Sequence, residues 1–142
     1  MNVLETSSKS SILKSMFQRL LLIGLAGLAG TLCRYGLSGF VARRFGETFP
    51  TGTLLVNVIG CFVAGFLLYT LNERFLISEV VRTALMIGFL GGFTTFSSFG
   101  VQTFTLMREG ETFFAVMNVL LSNVFGIASV WVGYSLAKVA GV

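Results

Sequence analysis

The stretch Gly88-Phe89-Leu90-Gly91-Gly92-Phe93-Thr94-Thr95-Phe96-Ser97-Ser98-Phe99-Gly100 decides how this chain is read. It lies in the middle of an apolar run over about 81–107, long enough to cross roughly 30 Å of hydrocarbon. Adjacent glycines followed by two threonines hold an uninterrupted helix poorly, and backbone left unsatisfied in lipid costs several kcal/mol per group. The composition predicts a break at Gly91 to Thr94, where freed carbonyls can coordinate a cation and the restarting helix presents amide donors. A glycine-softened packing kink is the competing reading of the same residues.

Three further runs, about 18–41, 52–71 and 113–137, reach the same length, which predicts an all-α membrane protein of four transmembrane helices. The 142 residues are 54% hydrophobic and 11% charged, where a soluble domain carries about 25% charged residues. With a mean hydropathy of +0.86, too few polar side chains remain to cover a water-facing surface. Histidine and aspartate are absent, and the six acids, all glutamates, stand outside the apolar runs or at their margins. That removes most hydrolytic, metal-centred and proton-relay chemistry, and no enzyme activity is expected. The net charge of +4 comes from ten basic residues scattered between the runs, with no basic face of the kind that binds nucleic acid. Cys33 and Cys61, each embedded in apolar sequence, predict small core residues and no disulfide framework.

Residues 1–15 are polar and serine-rich and predict a mobile tail ahead of one transmembrane domain over 16–142. Arg19 followed by Leu20-Leu21-Leu22-Ile23 resembles a secretory signal, but the apolar sequence continues to Phe40, so a retained first helix is preferred. The connections are short, which makes successive helices antiparallel. Lys9, Lys14, Arg19, Arg74, Arg82 and Lys138 fall on the amino-terminal side, against Arg43, Arg44, Arg108 and, at the margin, Arg34. This bias is weak and nearly vanishes if the distal tail counts little. Insertion in both orientations is then allowed, and such a mixture can build an antiparallel homodimer with its two-fold axis in the membrane plane.

Seventeen glycines exceed what the loops need, and most lie inside spans where they let helix backbones approach closely. Four short helices enclose little volume, so a polar pathway needs more than one subunit. After the predicted break, Phe96 and Phe99 share a helix face beside a polar stripe of Thr95, Ser98 and Gln102. Either the ring pair is core, or its positive edges face an anion without the deep trap that a buried Lys or Arg would make. Asn57 in the second span, and Asn118 and Ser122 in the fourth, supply uncharged donors that also serve as interhelical glue. Arg34 is read as an interface-paired structural residue, with a vestibule role as the alternative. Neutral donors, phenylalanine edges and no internal carboxylate together suit a small, poorly polarisable anion; a cation path more commonly shows acidic rings.

These residues resemble the Fluc/CrcB family of fluoride channels. Gly30-x-x-Cys33-Arg34-Tyr35 is similar to that family's first-helix pattern, Gly52-Thr53-Leu54-x-Val56-Asn57-x-x-Gly60 to its second-helix motif, and Gly91 to Phe99 to its third-helix break. Length and order agree throughout, so the resemblance covers nearly everything after the tail.

The resemblance implies a dual-topology antiparallel homodimer that exports fluoride passively across a bacterial inner (plasma) membrane, with two pores per dimer. It implies a central structural Na+ held by the backbone carbonyls of Gly91 and Thr94 from both subunits. It makes Phe96 and Phe99 the ring lining, Asn57 an amide donor, and Thr95 and Ser98 hydroxyl donors. Ser122 is carried over by the spacing Asn118, Ser122, Gly126, with Asn123 competing if the register slips by one. The family's Phe-Ser-x-Glu is replaced by Phe99-Gly100-Val101-Gln102, so a carboxylate is missing there. Two other classes are weighed. A small four-span secondary transporter needs a membrane-embedded carboxylate, which the spans lack, and a membrane scaffold protein leaves Gly-Gly-Phe-Thr-Thr-Phe in mid-span unexplained.

Overall fold

The computed structural model describes residues 3–46, 48–71 and 77–141, and every regular element among them is helical. Helix α1 spans Val3–Phe45, α2 Thr51–Tyr69 and α6 Thr112–Ala140, while the third membrane-length segment is built from several pieces. These are α3 (Glu79–Thr83), a π-helical stretch (Ala84–Phe89), α4 (Leu90–Phe93) and α5 (Phe96–Arg108). Among the described residues, four helical segments are long and apolar enough to cross a membrane: Ile12–Phe45, Thr51–Tyr69, Glu79–Arg108 and Thr112–Ala140.

Two boundaries differ from the sequence reading. The backbone expected as a tail over 1–15 is helical from Val3, continuous with the span below it. Once a long apolar helix exists, each further turn is added without a new nucleation cost, so even a serine-rich segment extends it. The other end of α1 stops at Gly46, whose amide returns to the Ala42 carbonyl at 2.9 Å and whose φ of +81° suits a residue without Cβ. In the third segment Gly91 and Gly92 are helical; the residues with extended dihedrals are Thr94 (φ −81°, ψ 159°) and Thr95 (φ −150°, ψ 115°). Glu47 and the Asn72, Glu73 and Arg74 of the second connection lie outside the described residues.

Glycines set the helix registers. A Cβ at Gly88 would press on Ile23 and Ala26, and one at Gly92 on Gly27 and Thr31, so α1 and the third segment run parallel. Gly126 faces Cys61, Gly65 meets Val130, and the Tyr69 and Tyr134 rings meet edge-on at 5.4 Å, so α2 and α6 also run parallel. Asn57 reaches Thr95 while Leu67 and Leu68 face Met86 and Ile87, which makes α2 antiparallel to the third segment. Gly133→Ala is expected to lower stability by about 1–3 kcal/mol, because its methyl would overlap the Phe62 carbonyl, and backbone cannot swing aside. Thermal unfolding in detergent checks this.

Packing is confined to one stripe of each helix. Val56 and Ala137 are fully enclosed, while Leu25, Leu28, Leu32, Ile127 and Trp131 are exposed, as lipid-facing side chains of a membrane bundle are. Cys33 stands on that outer surface of α1 rather than in the core expected for it, because the packed stripe of α1 passes through Gly30, Arg34 and Val41. Cys61 is half-buried and both thiols are free.

Candidate functional site

The extended pair Thr94–Thr95 is held open by side chains that take over the hydrogen bonds a continuing helix would make. The Thr95 amide donates to Asn57 Oδ1 at 2.8 Å, and Asn57 Nδ2 donates to the Thr95 carbonyl at 3.0 Å. A carboxamide thus grips both backbone polar groups of one residue from the neighbouring helix. The Ser98 amide donates to Thr95 Oγ1 at 3.2 Å, so Thr95 caps α5 with a threonine hydroxyl, a favoured N-cap group.

Each substitution releases a carbonyl. In an α-helix the Thr95 amide would bond the Gly91 carbonyl and the Ser98 amide the Thr94 carbonyl; both amides are engaged elsewhere. The Gly92 carbonyl instead accepts from Arg34 Nε at 3.0 Å, which gives that intramembrane guanidinium a backbone partner beside the extended pair. Thr94 Oγ1 donates to the Leu90 carbonyl at 2.8 Å, pointing its methyl group at Gly60. Gly91 and Thr94, two of the acceptors left without helical donors, are backbone carbonyls of the type that replaces an alkali ion's hydration shell. Their chemistry fits a sodium ion, with two oxygens per chain.

A cavity of about 420 Å³ opens beside this segment. Asn57, Gly91, Thr94, Thr95, Phe96, Phe99 and Ser122 all line it, so seven of the nine residues singled out from the sequence share one wall. Phe96 and Phe99 stand with ring centroids 5.4 Å apart and planes tilted by 47°. Phe96 is 84% exposed, so its ring belongs to the outer surface of the single chain.

Ser98 and Arg34 do not line that cavity. Ser98 lines a second one, of about 620 Å³, with Thr51, Thr53, Gln102, Glu109 and Glu111. The Thr95 hydroxyl donates to Ser98 Oγ at 3.0 Å and so bridges the two spaces. Gln102 Oε1 and Thr51 Oγ1 are buried there without a hydrogen-bond partner. Gln102→Met, which keeps the shape and removes the orphaned oxygen, is expected to leave thermal stability unchanged or slightly raised.

On α6 the structure separates the three candidates. Asn118 is 1% exposed and donates to Thr103 Oγ1 at 2.8 Å, a packing bond between α5 and α6. Ser122 and Asn123 both reach the cavity wall, with Asn123 Nδ2 donating to the Val119 carbonyl at 2.7 Å. Met86, Cys61 and Gly60 also line the cavity and were not read as site residues. The spacing of Met86, Leu90 and Thr94, four residues apart on one helix face, was the signal available for the first of them.

A family model described as CrcB-like protein, Camphor Resistance (CrcB), matches residues 21–134. A protein of Citrifermentans bemidjiense named Fluoride-specific ion channel FluC is 45% identical over 85% of this chain and 98% of its own length. Proteins of the same name from Desulforapulum autotrophicum, 43% identical over 87% of this chain and 98% of theirs, and Solibacter usitatus, 47% over 83% and 97%, are similar to the same extent. With four membrane-length helical segments, the matched motifs inside them and relatives aligned over nearly their full length, this chain belongs to the CrcB-like family.

Proposed function

We propose that the chain is one subunit of a passive fluoride-selective channel that works as an antiparallel, dual-topology homodimer and lets fluoride leave the cytoplasm across a bacterial inner membrane. The observation that carries this reading is the lining of the 420 Å³ cavity, where neutral donors and tilted phenylalanine rings converge and no carboxylate enters. Fluoride is small and strongly hydrated, so a path for it must replace several water hydrogen bonds at once. The hydroxyls of Ser98 and Ser122 and the second N–H of the Asn57 carboxamide are donors of that kind, Thr95 orients Ser98 by donating to its oxygen, and Phe96 and Phe99 offer ring edges. Chloride, being larger, gains less from donors set so close. The relatives named Fluoride-specific ion channel FluC agree with this chemistry.

The dimer reading rests on incompleteness of the single chain. The ring of Phe96 faces outward, and Gly91 and Thr94 offer two carbonyl oxygens where an alkali ion needs more. A second, inverted copy would supply the opposing wall and the remaining oxygens. Sodium held there would supply fixed positive charge and tie the two extended segments together; the chain's own part is to keep the carbonyls free through Asn57 and Thr95.

Fluoride release from liposomes containing purified protein, followed with a fluoride electrode after valinomycin, tests the reading. Rapid fluoride release without chloride release is expected, and retained fluoride from inserted, dimeric protein would overturn it. Phe96→Ile and Phe99→Ile are each expected to cut release about tenfold or more, the equivalent of about 1.4 kcal/mol at the limiting step, while the protein stays dimeric on size exclusion. Unchanged release would remove the ring edges from the path.

A further inference from the structure

One end of the bundle carries a feature that ion conduction does not use. The last turns of α2 and the π-helical stretch enclose a groove of about 270 Å³ whose walls are Leu67, Leu68, Leu71, Met86 and Ile87, with Arg82 at its edge. Leu68, Ile87 and Arg82 are exposed. A groove walled mostly by aliphatic side chains, with a guanidinium among its lining residues, matches an amphiphile: an acyl chain along the apolar wall and an anionic headgroup at the arginine.

The position of Arg82 in the membrane follows from the helix register. Gly88 lies beside Ile23 and Ala26 on the parallel helix α1, and six residues back along each helix sets Arg82 level with Arg19. The apolar span of α1 is 34 residues, about 51 Å at 1.5 Å per residue, so it outruns a hydrocarbon core of roughly 30 Å and its first turns stand among headgroups. Lys14 follows about 7.5 Å further out. At this level α1 is amphipathic, with Ile12, Leu13, Met16, Phe17 and Leu20 on one arc, Lys14 and Gln18 on the opposite one, and Arg19 at the margin beside Ile12 and Met16. Lys138 near the end of α6 belongs to the same end, since α2 and α6 run parallel. Against these cations stand Glu79, a turn before Arg82, and Glu5, further out along α1.

We propose that this end binds an anionic phospholipid, with one acyl chain in the groove and its phosphate on Arg82, supported by Arg19. A guanidinium pairs with phosphate oxygens through two parallel hydrogen bonds and is more weakly hydrated than an ammonium, which suits it to the headgroup layer. The site is independent of whether the chain conducts fluoride. In an antiparallel dimer it would occur once in each leaflet.

Native mass spectrometry and thermal unfolding of the full-length protein in detergent, with added phosphatidylglycerol, phosphatidylcholine or inorganic phosphate, test this. Phosphatidylglycerol is expected to be retained with an affinity about tenfold above phosphatidylcholine and to raise the melting temperature. The double variant Arg19→Gln/Arg82→Gln should erase that preference, Arg82→Lys should keep part of it, and Glu79→Gln should strengthen it. Leu68→Trp, which fills the groove, should reduce retention of both lipids. Equal retention of the two lipids, or a preference unchanged in the double variant, would overturn the proposal. An equal effect of inorganic phosphate would reassign Arg82 to a free anion. Dissociation of a dimer by Leu68→Trp would show the groove covered by a second copy, and would also overturn it.

Discussion

Asn57→Asp is expected to abolish fluoride release from liposomes. The replacement keeps the acceptor for the Thr95 amide but loses the donor to the Thr95 carbonyl, so two acceptors face each other where a bond of 3.0 Å stood. It also sets a negative charge on the cavity wall. Two like charges at about 4 Å repel by about 4 kcal/mol at an effective dielectric constant of 20, which lowers anion occupancy by about a thousandfold. Asn57→Ala separates the two effects. Without the carboxamide the Thr95 amide is free to return to the Gly91 carbonyl, and two bonds worth about 1 kcal/mol each are lost, but no charge is added. The Ala variant should therefore melt earlier and retain measurable release, whereas the Asp variant should be silent even where it remains folded. A fully active Asp variant would exclude Asn57 from the anion's path.

The grip of Asn57 on Thr95 also shows what the sequence could and could not convey. Apolar length alone predicts four spans because a helix must cover the hydrocarbon core, and four helical segments of that length are found among the described residues. Gly-Gly draws attention to its own position, since glycine is the residue that tolerates unusual dihedrals. In the structure Gly92 is helical and serves a different purpose: a Cβ there would collide with the Gly27 carbonyl of α1. The extended dihedrals fall on Thr94 and Thr95, both ordinary for any residue, and their cause sits 38 residues away in Asn57. A single sequence does not encode that partnership in any local pattern. The π-helical stretch at Ala84–Phe89 was equally illegible, as nothing in Ala-Leu-Met-Ile-Gly-Phe distinguishes a wider turn from an ordinary one.

Within the cavity, legibility follows helical periodicity. Phe96 and Phe99 were placed together by their spacing, and they are neighbours with rings 5.4 Å apart. Asn118 and Ser122 share a helix face by the same rule, yet of the two only Ser122 reaches the cavity, because Asn118 lies one turn earlier on α6 and meets Thr103. Periodicity assigns a face; which turn of that face meets a neighbour depends on the register between helices, which the close glycine contacts fix in three dimensions.

Gly60→Ala is expected to reduce fluoride release about tenfold or more, and Thr94→Ser in the same chain to restore much of it. A methyl at position 60 would occupy the space of the Thr94 side-chain methyl and press on the Phe93 ring at 3.3 Å. Thr94 cannot turn away freely, because its hydroxyl donates to the Leu90 carbonyl at 2.8 Å and fixes the rotamer that aims the methyl at Gly60. The strain is therefore passed to the backbone of the extended pair, at a cost of about 1–3 kcal/mol for overpacking. That backbone carries the Thr94 carbonyl and the Thr95 groups held by Asn57, so an ångström of displacement disturbs both. Serine at 94 keeps the hydroxyl bond and the carbonyl while removing the methyl that collides, and Thr94→Ser alone should consequently be mild. The two substitutions are in contact, so their effects should be strongly non-additive, with the double variant more active than Gly60→Ala by itself. Additive losses would mean that Gly60 acts through helix packing elsewhere, and that the geometry of the extended pair does not control release.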